Sequence, residues 1–193
     1  MSELILASAS PRRKELLTQI GLQFKIVVSE AEEVIEKGNT VENAVKKLAY
    51  DKANWVAKKY PSKVVLGADT VVVSGSQIMG KPQNDWEAYK MLRALSGTKH
   101  KVLTGVAVIC KEKGKVIVDH SITDVFFKKL SEEEIHGYIA TGEPFDKAGG
   151  YGIQGIGSCL VEKIHGCYFN VVGLPIHLVV EILKEFGIKV LGR

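Results

Sequence analysis

Arg12 and Arg13 stand side by side just after Ser8, Ser10 and Pro11, where an apolar run gives way to a helical pattern. The stretch reads Ala-Ser-Ala-Ser-Pro-Arg-Arg-Lys-Glu-Leu, residues 7–16. A helix start already carries unpaired N–H groups and roughly half a positive charge, so two further cations there are locally unfavourable. Hydroxyls, free amides and two guanidinium forks converging on one corner would suit a chain of phosphates. A solvated first turn uses the same residues, and residue types alone leave both readings open.

Other residues raise the same kind of question. Asp69 lies inside the most apolar run of the chain, VVLGADTVVV at 64–73. A buried carboxylate is costly unless it is paired, bound to a metal or protonated. It is either a satisfied structural aspartate or a metal ligand or general base at the carboxyl end of a strand, where open α/β sheets place their sites. Lys52 follows Leu48 by four residues and Val45 by seven, so it falls on the apolar stripe of its helix. It either snorkels to water or points its charge into a cleft. Lys81, fixed between Gly80 and Pro82, is a positioned charge or an ordinary turn lysine. Glu33 stands among Glu30, Glu32 and Glu36, and spacing does not single it out from a solvated acidic loop.

The stretch EPFDKAGGYGIQG, residues 143–155, is long for a connection and rich in glycine, and it carries Asp146, Lys147 and Gln154. Tyr151, Ile153 and the lack of serine-rich filler predict an ordered loop that comes close to a ligand, not a flexible linker. Together these residues supply several cations, one or two carboxylates and a shaped loop. Phosphoanhydride chemistry needs that set: cations neutralise phosphates, carboxylates hold a divalent ion and activate water, and a loop reads the organic part.

The elements that must position them follow from periodicity and caps. Residues 3–7 read as a short buried strand, with Ser10 as N-cap and Pro11 as first residue of a helix ended by Gly21. A strand is predicted at 24–29, and a helix capped by Thr40 at about 41–59. The strand at 64–73 is followed by a turn at 74–76. Asn84 with Glu87 predicts a capping box for a helix closed by Gly97. Strands at about 101–111 and 115–127 read as a hairpin. Ser131 with Glu134 caps a short helix ending at Gly142. A loop over 142–157, a strand at 158–164, a turn, and a helix begun near Pro175 complete the chain. Helices and strands alternate through both crossover and hairpin connections. The expected fold is α/β, a mixed twisted sheet with flanking helices and two lobes around a cleft.

Composition narrows the classes. The 193 residues are 46% hydrophobic and 25% charged, with a net charge of +4, as in a soluble globular protein that accepts an anionic ligand. No basic-aromatic ladder points to nucleic acid, and no apolar stretch is long enough to span a bilayer. The three cysteines, Cys110, Cys159 and Cys167, form no CxxC pair, so a disulfide framework or zinc site is not expected and a reducing cytoplasm fits. Two motifs mislead. Gly75, Gly80 and Lys81 nearly complete a P-loop, but Pro82 has neither hydroxyl nor N–H and no helix follows directly. Gly150, Gly152 and Gly155 spell a dinucleotide fingerprint that follows a loop and precedes a strand, the wrong context.

Six motifs, in order along nearly the whole chain, resemble the Maf nucleoside triphosphate pyrophosphatases, in their Bacillus-type form. They are Ser-Ala-Ser-Pro-Arg-Arg (8–13), Gly-Ala-Asp-Thr (67–70), Gly-Lys-Pro (80–82), Leu-Ser-Gly (95–97), the 143–155 stretch, and Val-Val-Gly-Leu-Pro (171–175). The resemblance implies one Maf-like domain over 1–193, with a two-lobed fold similar to inosine triphosphate pyrophosphatases. It implies hydrolysis of dTTP and UTP, and of modified pyrimidine nucleotides, to the monophosphate and pyrophosphate with a divalent cation (Mg, Mn or Co). It also implies a link to inhibition of septum formation. Carried over by position, Asp69 matches the proton acceptor, and Arg12, Thr70 and Gln154 match specificity positions. Ser8, Arg13, Lys52 and Lys81 match pocket residues. Glu33 matches the acidic residue after the second strand, with Asp69 and Glu33 as the metal-binding pair and Glu33, Lys52 and Lys81 assisting catalysis. Gly150 stands where the family more often has alanine. The expected protein is cytoplasmic, with a nucleotide as partner, no stable nucleic acid, no membrane, and a homodimer left open. The competing class is a nucleotide-binding regulator of cell division that does not turn its ligand over.

Overall fold

Leu4–Leu6 (β1) is buried along its whole length, and the chain leaves it through Ser10, whose side chain caps Pro11–Gln19 (α1) as the sequence predicts. The structure is a computed structural model that describes residues 3–33 and 38–192. Phe24–Ile26 (β2) is shorter than the strand expected at 24–29. Of the acidic segment, Glu36 lies outside the described residues. Thr40 caps Val41–Lys59 (α2), and Val64–Ser74 (β3) follows.

The turn after β3 returns the chain as Gln77–Met79 (β4), a short hairpin strand with no sequence signal of its own. Asn84 caps Asp85–Leu95 (α3) by accepting the Glu87 N–H at 2.9 Å. The capping box expected there is only half formed, because the Glu87 carboxylate accepts from Gln83 N instead of from Asn84. Lys99–Cys110 (β5) and Lys115–Phe127 (β6) are the long strands of the expected hairpin. Ser131 and Glu134 form the full capping box of Glu132–Ala140 (α4). The chain next forms three 3-10 turns, Glu143–Asp146, Ala148–Gly150 and Gly155–Leu160, and because the last of them runs to Leu160 the final strand, Val161–His165 (β7), starts later than expected. Tyr168–Val172 (α5) replaces an expected turn, and Ile176–Glu185 (α6) begins after Pro175.

Among the described residues the strands form a seven-stranded mixed sheet in the order β2-β1-β3-β5-β6-β7, with β4 paired to β3. The chain divides into two compact units, and β3, β5 and β6 each contribute residues to both. The first unit holds residues 1–69, 104–121 and 173–193. Its core is built by Ile5, Val65, Ala107 and Ile109 of the strands against Ala49, Ala53, Val56 and Ala57 of α2. Two strand glycines set this packing. A Cβ on Gly67 would lie 2.5 Å from the Ala49 carbonyl oxygen, and one on Gly105 would lie 2.1 Å from that of Val45. The helix backbone therefore rests directly on the sheet, and small alanines fill the seam.

The second unit holds residues 70–103 and 122–172. Its core joins Val72, Leu92, Leu95, Phe127, Ile135 and Tyr138. His100 is buried there, 2% exposed, with its Nε2 2.7 Å from the Tyr151 hydroxyl and its ring edge-on to Phe127 and Tyr151. Burial pulls the imidazole down to about 4, so it is neutral at physiological pH. The cysteines are all free, as expected. No described helix is long and apolar enough to cross a membrane.

Gly105→Ala forces a methyl against helix backbone and should cost about 1–3 kcal/mol in urea unfolding. Gly137→Ala in α4, where a methyl meets nothing within 4 Å, should be neutral or stabilise by up to about 1 kcal/mol. The His100 effect on pH has a definite sign. Its folded value lies below the unfolded 6.5, so the unfolded chain binds the extra proton first. The contribution is complete above pH 6.5 and is lost as pH falls toward 4, by about 3 kcal/mol in total. Unfolding free energies measured across that window should show the slope in the parent and lack it in His100→Leu.

Candidate active site

The three strands β2, β1 and β3 run parallel, with β1 in the middle. The crossover through α1 leaves β1 to one side and the crossover through α2 returns on the other. Such a reversal leaves an opening at the carboxyl ends of the strands, where open α/β sheets bind ligands. Pairing of β1 with β3 ends at Leu6 opposite Leu66, closed by the Ala7 N–H to the Leu66 carbonyl at 2.8 Å. Just beyond this point lie Ser8 to Arg13 after β1 and Gly67 to Asp69 within β3, so Asp69 stands past the end of the parallel pairing but inside a strand that runs on to Ser74, not at the strand's end as expected.

The first corner is built around Arg13. Its Nε donates to the Gly173 carbonyl at 2.8 Å, and its Nη1 donates to Ser8 Oγ at 3.1 Å. Ser8 Oγ also accepts the Ser10 N–H at 3.2 Å, so one hydroxyl orients both the arginine and the helix start. Burial lowers the guanidinium from its ordinary value, Asp69 and Glu33 oppose this, and Arg12 adds to it. Arg12, Asp69 and Glu33 therefore each lie within electrostatic range of Arg13.

Lys52 joins the carboxylates. Its ammonium donates to Asp69 Oδ1 at 2.6 Å and lies 2.8 Å from Glu33 Oε1. The Lys52 and Asp69 side chains are 14% and 10% exposed, whereas Glu33 is 64% exposed. The first contact is therefore protected from water and salt, and the second is a surface contact of small energetic weight. Lys52 reaches Asp69 because Gly67, two residues earlier on β3, lets α2 approach to backbone distance. Gly67 and the Gly173 carbonyl were not singled out from sequence as site determinants. The signal for Gly67 was present, since a glycine inside a strand marks close backbone approach.

The implied divalent cation can be weighed against these donors. Among the described residues there is no group of three or more His, Cys, Asp or Glu able to hold a metal alone. Asp69 and Glu33 share one ammonium, and that contact engages one oxygen of each. Two carboxylates fit an ion of the magnesium type, which is commonly held by one or two carboxylates together with substrate phosphates.

Ser8, Arg12, Arg13, Glu33, Lys52 and Asp69 thus belong to the first unit, while Thr70, Lys81 and Gln154 belong to the second. Thr70 continues β3, half-buried. Lys81 lies beyond β4 in a segment tied to the glycine-rich stretch, because the Gly149 N–H donates to the Gly80 carbonyl at 2.9 Å. Gln154 directly precedes the 3-10 turn at Gly155–Leu160.

Comparison with known proteins gives a consistent picture. Residues 3–186 match the Maf family, described as Maf-like protein. A protein of Desulforamulus reducens is 47% identical over 190 residues, covering 98% of this chain and 100% of that protein. One from Bacillus cereus is 52% identical over 190 residues, covering 98% and 93%, and one from a Geobacillus species is 52% identical over 187 residues, covering 97% and 100%. All three are named dTTP/UTP pyrophosphatase. Among solved structures, the Staphylococcus aureus Ham1 protein aligns with a TM-score of 0.44 at 13% identity, covering 82% of this chain and 79% of that one, too loosely to bear on the fold.

Proposed function

Because the chain belongs to the Maf family, as the match over residues 3–186 shows, we propose that it hydrolyses dTTP and UTP to the nucleoside monophosphate and pyrophosphate, with Asp69 as the base. The observation that carries this reading is the Lys52 ammonium set between Asp69 and Glu33, just past the point where the parallel pairing of β1 and β3 ends. A carboxylate beside the arginines supplies the base that activation of water calls for.

Lys52 occupies Asp69 Oδ1 and so orients the carboxylate, leaving Oδ2 to take a proton from water. That water attacks the α-phosphorus, and pyrophosphate leaves. Arg13, held by Gly173 and Ser8, faces developing charge without having to be reoriented. Lys52 contributes its own charge while it tethers the carboxylates, and the family resemblance gives Lys81 a further cationic role. Arg12, Thr70 and Gln154 select the pyrimidine. A divalent cation such as Mg, Mn or Co, held by Asp69 and Glu33 with the substrate phosphates, would supply further charge neutralisation. The competing reading is a nucleotide-binding regulator of division without turnover.

Pyrophosphate release across a panel of nucleoside triphosphates separates the two. Turnover with dTTP and UTP is expected; tight binding with no release would establish the regulator instead. Run in ¹⁸O-water, the reaction should place the label in the monophosphate, and label in pyrophosphate would exclude attack at the α-phosphorus. Asp69→Asn keeps an oxygen for Lys52 and should fold normally, yet kcat should fall by at least about 100-fold, the usual order for loss of a positioned base. Near-full activity in that variant would remove Asp69 from the role.

A further inference from the structure

Glu143 opens the glycine-rich stretch, and both oxygens of its carboxylate accept backbone N–H groups just beyond that stretch's end. Oε1 accepts the Ile156 N–H at 2.9 Å, and Oε2 accepts the Gly157 N–H at 3.2 Å. The Tyr138 hydroxyl donates to Oε2 at 3.3 Å and itself accepts the Gly152 N–H at 3.3 Å. One carboxylate and one phenol therefore hold the backbone on both sides of Gln154, at residue 152 before it and at 156 and 157 after it.

The chain is shaped to these two groups. Gly155 has φ of +65°, and a Cβ there would stand 2.7 Å from Glu143 Oε1. A Cβ on Gly157 would lie 2.3 Å from the Gly152 carbonyl oxygen and 2.6 Å from the Tyr138 hydroxyl. Behind Glu143, the Lys147 ammonium donates to the Glu143 carbonyl and to Asp146 Oδ1, both at 2.6 Å, which fixes the base of the loop. Burial raises the Glu143 carboxyl, but the Ile156 and Gly157 amides, the Tyr138 hydroxyl and the Lys147 charge together outweigh it, and it stands below its ordinary value. A carboxylate receiving three donors is ill placed to serve as a base.

We infer that Glu143, backed by Tyr138, is a positioning residue for pyrimidine selection: it acts on the nucleotide through Gln154, whose backbone it and Tyr138 hold from both sides. This rests on the reading above in which Gln154 contacts the base. The physical reason is that a side-chain amide discriminates bases only if its direction is held, and Gln154 sits in a segment whose glycines would otherwise leave it free.

The test compares the dTTP-to-dGTP ratio of kcat/KM in the parent, Glu143→Gln, Gln154→Ala and the double variant. Glutamine keeps the shape but presents an NH2 to one of the two amides, which then loses its acceptor. The ratio should fall about 10-fold in each single variant, the size expected for about 1.4 kcal/mol of lost orientation. The double variant should fall no further, because both changes remove one interaction. Amide exchange at Ile156 and Gly157 should quicken in Glu143→Gln. Should that variant fail to fold, Tyr138→Phe carries the same comparison.

An unchanged ratio in Glu143→Gln beside a lowered one in Gln154→Ala overturns the positioning role. Additive losses in the double variant do so too. An unchanged ratio in Gln154→Ala overturns the reading of Gln154 itself, and the route from Glu143 through it. Loss of dTTP turnover altogether in the parent is the separate failure of the pyrophosphatase reading.

Discussion

Helix α2 lies on the backbone of the strands beneath it, and the charged site depends on that approach. Gly67 and Gly105 have no side chain where the helix passes, and Ala49, Ala53 and Ala57 keep the seam thin. A larger residue at either glycine would lift the helix and carry Lys52 away from Asp69. The approach thus links core packing to chemistry: the same contact that buries the alanines brings an ammonium to 2.6 Å from a buried carboxylate. Dispersion and apolar burial fix the spacing, and the ion pair forms because the spacing is right.

Around that contact, cations and carboxylates are interleaved instead of segregated. Arg13 is immobilised by a carbonyl and a hydroxyl, and its charge is opposed by Asp69 and Glu33 and reinforced by Arg12. A cluster of arginines alone would bind phosphates without reacting with them. Carboxylates alone would repel an anion. Here the Lys52 ammonium bridges Asp69 and Glu33 beside the arginines, so both signs of charge share one corner.

The second unit solves a different problem, which is to hold a glycine-rich segment in one conformation. Glycine loses more conformational entropy on ordering than other residues, so the segment needs many fixed points. It has them in the Glu143 carboxylate, the Tyr138 hydroxyl, the Gly149 bond to Gly80, and Tyr151, whose hydroxyl meets buried His100. A histidine kept neutral in an apolar core makes this unit sensitive to acid.

Local chemistry was legible along the chain. The caps at Ser10, Thr40 and Ser131, the long helix over 41–59 and the hairpin of β5 and β6 depend on neighbours within a few residues, and those neighbours are in the sequence. The residues of the charged corner were legible as well, because charge inside an apolar pattern is conspicuous: Asp69 in its strand and Lys52 on its stripe. Short elements such as β4 and α5 were not, since three to five residues carry too little periodicity. The Glu87 side chain also chose Gln83 over Asn84, a choice that local spacing leaves open. What the tertiary structure alone decided was partnership. Lys52 could have snorkelled to water; it meets Asp69 because two glycines far apart in sequence admit α2 to the sheet. Glu143 could have been another surface acid; it closes a loop because residues 156 and 157 turn their amides back onto it. In both cases the residue type was visible, but the partner lay across a fold that only packing assembles.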